Sequence, residues 1–187
     1  MSDFNAYTAG LDMDFLRDLF RQNGRMMHFQ KGDIFAGGSK RLRYWGLVVN
    51  GTFKYVIPDY EGERHVVGFV FDNDMVGDFL ATVKQRPVRA EIIAASDAEV
   101  MVCDTSVVYD FLTSNTAFLR IITENLFSQA YDQYLELHLK SPKDRYVALL
   151  KRCPDILQKI TLREMASYLQ VTPTHLSRIR KELTFGS

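Results

Sequence analysis

The feature that most constrains the fold is the stretch from residue 116 to residue 139, which contains neither glycine nor proline. Leu119, Ile122, Leu126, Ala130, Tyr134 and Leu137 recur within it at spacings of three and four, the period of one helix face. This predicts a helix of about six turns. Such a helix is long for a domain of this size, and a compact neighbour would not cover the whole apolar seam. Pairing with a second copy along the seam would bury it. Packing lengthwise on the chain's own body is the alternative.

The chain differs on either side of this stretch. Residues 11–23 place Leu11, Phe15, Leu16, Leu19 and Phe20 on one face of a short helix, which Asn23-Gly24 stops. From Met26 the period shortens. Residues 26–29, 34–35, 44–49, 52–57, 65–71, 75–78, 92–95 and 100–103 read as strands. Turns fall at Lys31-Gly32-Asp33, Asn50-Gly51 and Glu61-Gly62. The Asn50-Gly51 pair predicts a tight hairpin between the flanking strands. Many short strands separated by regular turn signals imply a β-barrel or jelly roll, closed to protect its edges.

Beyond residue 140 the pattern is helical again. Ser141 caps a helix over 142–152 with Tyr146, Leu149 and Leu150 inward, and Cys153-Pro154-Asp155 connects it to residues 160–183. There Thr161 and Glu164 form a capping box, followed by Leu162, Met165, Ala166 and Leu169 at helical spacing. Gln170-Val171 makes a turn, in which a non-glycine residue in the left-handed region would cost about 1 kcal/mol. Thr172 then caps a second helix, with Pro173 at its first position. Leu176, Ile179 and Leu183 should face the first helix. Thr174, Ser177, Arg178 and Lys181 project from the opposite face, and with Thr172 and His175 they are the candidate DNA-contacting residues. A helix fits the major groove, and the flat fork of Arg178 matches guanine O6 and N7 together.

The formal net charge is zero, but it is unevenly distributed. Residues 1–139 hold 13 Lys/Arg against 19 Asp/Glu, and residues 140–187 hold 10 against 4. An acidic body with a basic end is expected when only that end meets phosphate. Two cysteines, Cys103 and Cys153, form no metal-ligand spacing and no disulfide framework. His28, His65, His138 and His175 are scattered, so no metal site is expected. No apolar run approaches the roughly 20 residues of a membrane span. Asp3, Asp12, Asp14 and Asp18 are unlike a secretion signal, so a cytoplasmic location is expected.

Several phrases carry a resemblance. Lys31-Gly32-Asp33, Val49-Asn50-Gly51 and Met75-Val76-Gly77-Asp78 in the strand-rich part, with Ser141-Pro142-Lys143-Asp144-Arg145-Tyr146 and Leu176-Ser177-Arg178-Ile179-Arg180-Lys181 in the helical part, resemble bacterial transcription regulators of the Crp/Fnr family, the cyclic-AMP receptor protein type. The resemblance covers nearly the whole length. It implies a cyclic-nucleotide-binding-type β-roll, a dimerisation helix and a winged helix-turn-helix. In cyclic-AMP-binding members a Gly-Glu pair opens the nucleotide loop and an Arg-Ser pair closes it. Here Gly77-Asp78 opens with a shorter acid, and Val88-Arg89-Ala90 displaces the cation by one residue, with Arg86 nearby. Gly77, Asp78, Phe79, Arg86 and Arg89 are therefore the candidate effector-pocket residues. A one-residue step can turn a strand side chain to the other face, which disfavours a cyclic nucleotide and leaves the effector unidentified. The cysteine cluster of oxygen-sensing members has no counterpart before Cys103. The sequence stops at Thr184-Phe185-Gly186-Ser187, so no β-hairpin wing is expected within it; either the wing is dispensable or the sequence is truncated, and its loss would weaken DNA binding in a salt-dependent way.

The expectation is thus an α+β chain. Residues 1–115 form an N-terminal helix and β-roll (jelly roll), 116–140 a dimerisation helix, and 141–187 a helix-turn-helix domain. The expected function is that of a homodimeric, non-enzymatic regulator binding double-stranded DNA under control of a small effector; an activator would also touch RNA polymerase. The alternative is a ligand-sensing module that acts through protein partners, with a vestigial DNA-binding domain. Target genes and the direction of regulation are not legible in the residues.

Overall fold

The computed structural model describes residues 4–186; Asp3 and Ser187, which figure in the readings above, lie outside the described residues. A short turn of 3-10 helix at Ala6–Thr8 precedes helix α1 (Met13–Asn23). The Asp12 carboxylate accepts from the N–H groups of Asp14 and Phe15. The helix therefore starts after Leu11, because a capping aspartate satisfies the donors that the first turn leaves open. Leu16 and Phe20 are buried, whereas Phe15 is exposed. Gly24 ends the helix in an extended conformation. Glycine is needed there for close approach, since a Cβ would lie 2.4 Å from the Phe20 carbonyl oxygen.

Among the described residues eight strands follow: β1 (Arg25–Phe29), β2 (Ile34–Ala36), β3 (Tyr44–Asn50), β4 (Phe53–Pro58), β5 (Arg64–Val70), β6 (Met75–Val76), β7 (Glu91–Ala94) and β8 (Ala98–Asp104). They make two four-stranded antiparallel sheets, ordered β1-β8-β3-β6 and β2-β7-β4-β5. Val48, Phe53, Val76, Ile92 and Val100 fill the space between them. The helices are α2 (Phe79–Val83), α3 (Thr105–Ser114), α4 (Thr116–Leu139), α5 (Pro142–Arg152), α6 (Ile156–Lys159), α7 (Leu162–Tyr168) and α8 (Pro173–Phe185). The fold is α+β, a β-roll with helices.

The Asn50-Gly51 hairpin does not form. β3 pairs with β8 and β6, and β4 pairs with β7 and β5, so the chain crosses between sheets at this point. A two-residue hairpin of the expected type requires positive φ at both central residues, and only Gly51, at 111°, adopts it. Gly51 instead runs against the neighbouring chain, where a Cβ would meet that of Ala98 at 2.5 Å. The Glu61-Gly62 turn does join a true hairpin, β4 to β5. Asp59 organises it by accepting from the N–H groups of Glu61 and Glu63, both at 2.9 Å.

Helix α4 has the expected bounds and is capped by Asn115, which accepts from the Phe118 N–H. Its first half packs on the roll. Phe118 and Ile122 join Leu16, Phe20, Trp45, Val108 and Leu112 in one buried cluster. Its second half leaves the roll, and Phe127, Tyr131, Tyr134 and Leu137 are exposed.

The C-terminal helices share a core with the roll. Val56, Val66, Phe69 and Phe71 pack with Tyr146, Leu149, Met165 and Leu176, among others. Polar contacts reinforce this junction. Lys54 Nζ lies 2.7 Å from Glu164 Oε1, and the Val66 N–H donates to Ser167 Oγ at 2.9 Å. Arg145 ties the end of α4 to the end of α7, donating to the carbonyls of Lys140 and Leu169, each at 3.0 Å.

Candidate nucleic-acid interface and effector pocket

Two regions bring the expected residues together. The first is the pair α7–α8. The capping box closes as its residues predict: the Glu164 N–H donates to Thr161 Oγ1 at 3.2 Å, and Glu164 Oε2 accepts from the Thr161 N–H at 2.9 Å. Gln170 makes the turn with φ at 54°, in the left-handed region. The Val171 N–H then donates to the Ala166 carbonyl at 3.0 Å, which satisfies a carbonyl that the helix end would otherwise leave open. Thr172 caps α8 by accepting from the His175 N–H, and Pro173 occupies its first turn.

Met165, Ala166, Leu169, Leu176 and Ile179 are buried between the helices and the roll. Leu162 and Leu183 are not, being 39% and 43% exposed. Both fall at outer ends of the pair, where periodicity continues but no neighbouring element remains to cover them. Thr172, Thr174, His175, Ser177, Arg178 and Lys181 are all exposed. Ser177 Oγ donates to the Pro173 carbonyl at 2.9 Å, leaving its oxygen free to accept. Among the described residues, Arg178 and Lys181 form no ion pair, whereas Glu182 lies 3.7 Å from Lys143. The outer face of α8 therefore presents two uncompensated cations beside hydroxyl groups, an arrangement suited to an anionic, hydrogen-bonding partner.

The second region is a cavity of about 730 Å³ between the roll and α4. Gly77, Asp78 and Phe79 line it, but Arg86 and Arg89 do not. Val88 is buried and Arg89 is exposed; both precede β7 (Glu91–Ala94) and lie outside any strand, so the alternation of strand faces does not apply to them. Gly77 is required by packing: a Cβ there would lie 2.5 Å from the Trp45 ring. Asp78 caps α2, its Oδ1 accepting from the Ala81 N–H at 2.8 Å.

Tyr55 also lines the cavity, donating its hydroxyl to the Gly77 carbonyl at 2.7 Å and accepting from the Gly77 N–H at 3.2 Å. Burial raises the Tyr55 phenol well above its ordinary value, against the opposing effect of the Gly77 bond. Beside it, Asn5 Nδ2 donates to Asp74 Oδ2 at 2.9 Å. Burial pushes the Asp74 carboxyl up to about 6, although the Asn5 bond and Lys159 oppose the shift. Tyr55 and Trp45 carry no motif that would mark them in advance. They reach the site because β3 and β4 belong to different sheets.

Of the expected seam of α4, Ile122, Leu126 and Ala130 line this cavity, and Leu119 packs on the cluster beneath it. Tyr134 and Leu137 are exposed. Phe127 and Tyr131, outside the expected seam, stack with ring centroids 6.0 Å apart. Among the described residues no group of three His, Cys, Asp or Glu could hold a metal, and no helix is long and apolar enough to cross a membrane.

Residues 26–115 match the sequence family described as the cyclic nucleotide-binding domain. No curated protein matches the chain. Among solved structures, FixK2 from Bradyrhizobium japonicum superposes with a TM-score of 0.74 at 19% identity, over 86% of this chain and 84% of that one. A protein of Eubacterium rectale, described as a transcriptional regulator of the Crp/Fnr family, gives 0.69 at 20% identity, over 97% and 89%. The c-di-GMP-responsive global regulator CLP of Xanthomonas campestris gives 0.66 at 14% identity, over 91% of each. At these identities the likeness establishes the fold shared with Crp/Fnr regulators.

Proposed function

We propose that the chain is a dimeric, sequence-specific DNA-binding transcription regulator whose β-roll holds a small effector. The observation that carries this reading is the outer face of α8, where Thr174, Ser177, Arg178 and Lys181 are exposed while Leu176 and Ile179 are buried behind them. In the major groove the early residues of such a helix meet base edges, and the later cations meet phosphate. The description of the Eubacterium rectale relative as a transcriptional regulator points the same way.

On this reading α5 to α8 form the DNA-binding part, α4 the dimer spine and the roll the sensor. The exposed stripe of Phe127, Tyr131, Tyr134 and Leu137 suits pairing with a second copy, since a sustained apolar helix face is buried economically by its symmetry mate. Two copies would set their α8 helices about 34 Å apart in successive major grooves. The effector would lie in the cavity against Gly77, Asp78 and Phe79. With Arg86 and Arg89 outside that cavity, a cyclic phosphate has no guanidinium partner there.

Selection of bound sequences from a random duplex library, at near-physiological salt, tests the proposal. A palindrome with half-sites one helical turn apart is expected. Recovery of only unrelated, salt-sensitive sequences, both with and without cell-derived small molecules, would refute it.

A further inference from the structure

The walls of the cavity under α4 are mostly apolar. Among the described residues they contain no lysine, arginine or histidine, and Asp78 is their one carboxylate. The remaining surface is mainly aromatic and aliphatic, with Trp45, Tyr55, Phe69, Phe79, Leu112 and Leu126 from six elements of the fold. An anion entering there would leave water for a wall with one negative charge and no cation, which is strongly unfavourable. The start of α2 cannot replace a cation, because α2 spans only Phe79–Val83 and its first turn is already capped by Asp78.

The volume lies within the range of about 300–1,000 Å³ usual for small-molecule sites, which are typically apolar with a few convergent polar groups. Polar groups are also present in the wall. The Tyr55 hydroxyl bridges both backbone groups of Gly77. Gln129 Oε1 accepts from the Ala6 N–H at 2.8 Å, which leaves its amide nitrogen as a donor. Asn5 and Tyr7 also line the cavity, with Asn5 Nδ2 donating to the Phe69 carbonyl and to Asp74 and the Tyr7 hydroxyl donating to the Met75 carbonyl.

We infer that the cavity takes an uncharged, largely hydrocarbon or aromatic small molecule with a single hydrogen-bonding head, and that it does not take a cyclic nucleotide. This rests on the reading of the roll as the effector domain, but it is tested by direct binding, independently of DNA. The apolar body would lie against Trp45, Phe69 and Leu126, with its head at Tyr55 and Gln129. The wall of this cavity includes Val67, Gly68 and Phe69 of β5. The same strand holds α7 through Val66 and Ser167, so an occupant would press on the strand that anchors the α7–α8 pair.

Trp45 is the only tryptophan in the chain and lines the cavity, so occupancy can be read from its fluorescence. The experiment titrates the full-length protein with phenylnaphthylamine, an uncharged apolar probe, and separately with cyclic AMP. Saturable quenching of Trp45 by the first, at one probe per chain, and none by the second is expected. Gly68 has an ordinary backbone conformation and room for a side chain, its nearest neighbour being Tyr55 at 3.7 Å. Gly68→Leu should fill the cavity and weaken the probe by about tenfold or more, a loss of about 1.4 kcal/mol. Thr123→Arg, at an exposed position on the cavity mouth, gives a second variant that does not touch the core and should also weaken the probe.

Absence of saturable quenching, as when a second copy's helix fills the cavity, would overturn the inference. So would quenching by cyclic AMP, or unchanged affinity in both variants. None of these results would alter the outcome of the DNA selection, so the two readings fail separately.

Discussion

Lys54→Met and Glu164→Gln, made singly and together, isolate the ion pair that joins β4 to α7. The charges are 2.7 Å apart, with side chains 23% and 13% exposed. Fully exposed pairs are worth about 0.2–1 kcal/mol, and removing one partner of a fully buried pair costs about 3–5 kcal/mol. This pair lies between those limits, so a coupling energy of about 1–2 kcal/mol is expected from the double-mutant cycle. The two single changes should be unequal. Lys54→Met leaves a nearly buried carboxylate without its cation and should cost about 2–3 kcal/mol. Glu164→Gln leaves Lys54, whose long stem can carry its charge to water, and glutamine keeps the capping box; about 1 kcal/mol is expected.

Urea unfolding at pH 7 and low salt measures all four proteins. Burial raises the Glu164 carboxyl, but its bonds to Lys54 and Thr161 outweigh that and hold it below its usual value. The folded state therefore favours the ionised form. The stabilisation is present above the unfolded value of about 4.3 and is lost as pH falls through the folded one. The coupling should accordingly disappear in acid. A coupling below about 0.3 kcal/mol at pH 7, within ordinary additivity error, would refute the assignment of this pair as a tie between the roll and the helical end.

Arg178→Ala should weaken the preferred duplex by about 1–3 kcal/mol and relax specificity at one base pair, whereas Lys181→Ala should weaken all duplexes alike and lower the salt slope by about one; equal loss across all duplexes for Arg178→Ala would remove it as the base reader. Asp74 behaves oppositely to Glu164, because burial raises its carboxyl to about 6 and the folded state takes up a proton between the unfolded value of about 3.9 and that point, so stability falls as pH rises through the window. Asp74→Asn should therefore stabilise the protein by about 1–2 kcal/mol at pH 8, solvent screening the remainder, and hardly at pH 4, as read by urea unfolding. Gly77→Ala drives a Cβ to 2.5 Å from the Trp45 ring and should cost about 1–3 kcal/mol as an overpacked site, with a shift in Trp45 emission; an unchanged melting temperature would show that the ring moves aside freely.

Local chemistry determined the helices that local chemistry can specify. The bounds of α4, the Ser141 and Thr172 caps, the Thr161–Glu164 box and the Gln170 turn all depend on residues within a turn or two of one another. Polar and apolar faces of α8 follow from the same period. Other helices were hidden. The β-branched residues at the start of α3 and the shortness of α2 and α6 leave no clear period to read.

Tertiary structure decided what depends on distant neighbours. Strand pairing is non-local, so whether Asn50-Gly51 made a hairpin or a crossing rested on its contact with Ala98. Exposure of Leu162 and Leu183 rested on where the covering elements stop. The cavity is lined from α1, β3, β4, β5, β6, α2, α3 and α4, and that neither Arg86 nor Arg89 lines it could not be read from a motif shifted by one residue. The Lys54–Glu164 tie joins residues 110 positions apart. Sequence periodicity says which face of an element is apolar, but only the assembled fold sets what that face meets, because burial is a property of the neighbours as much as of the residue.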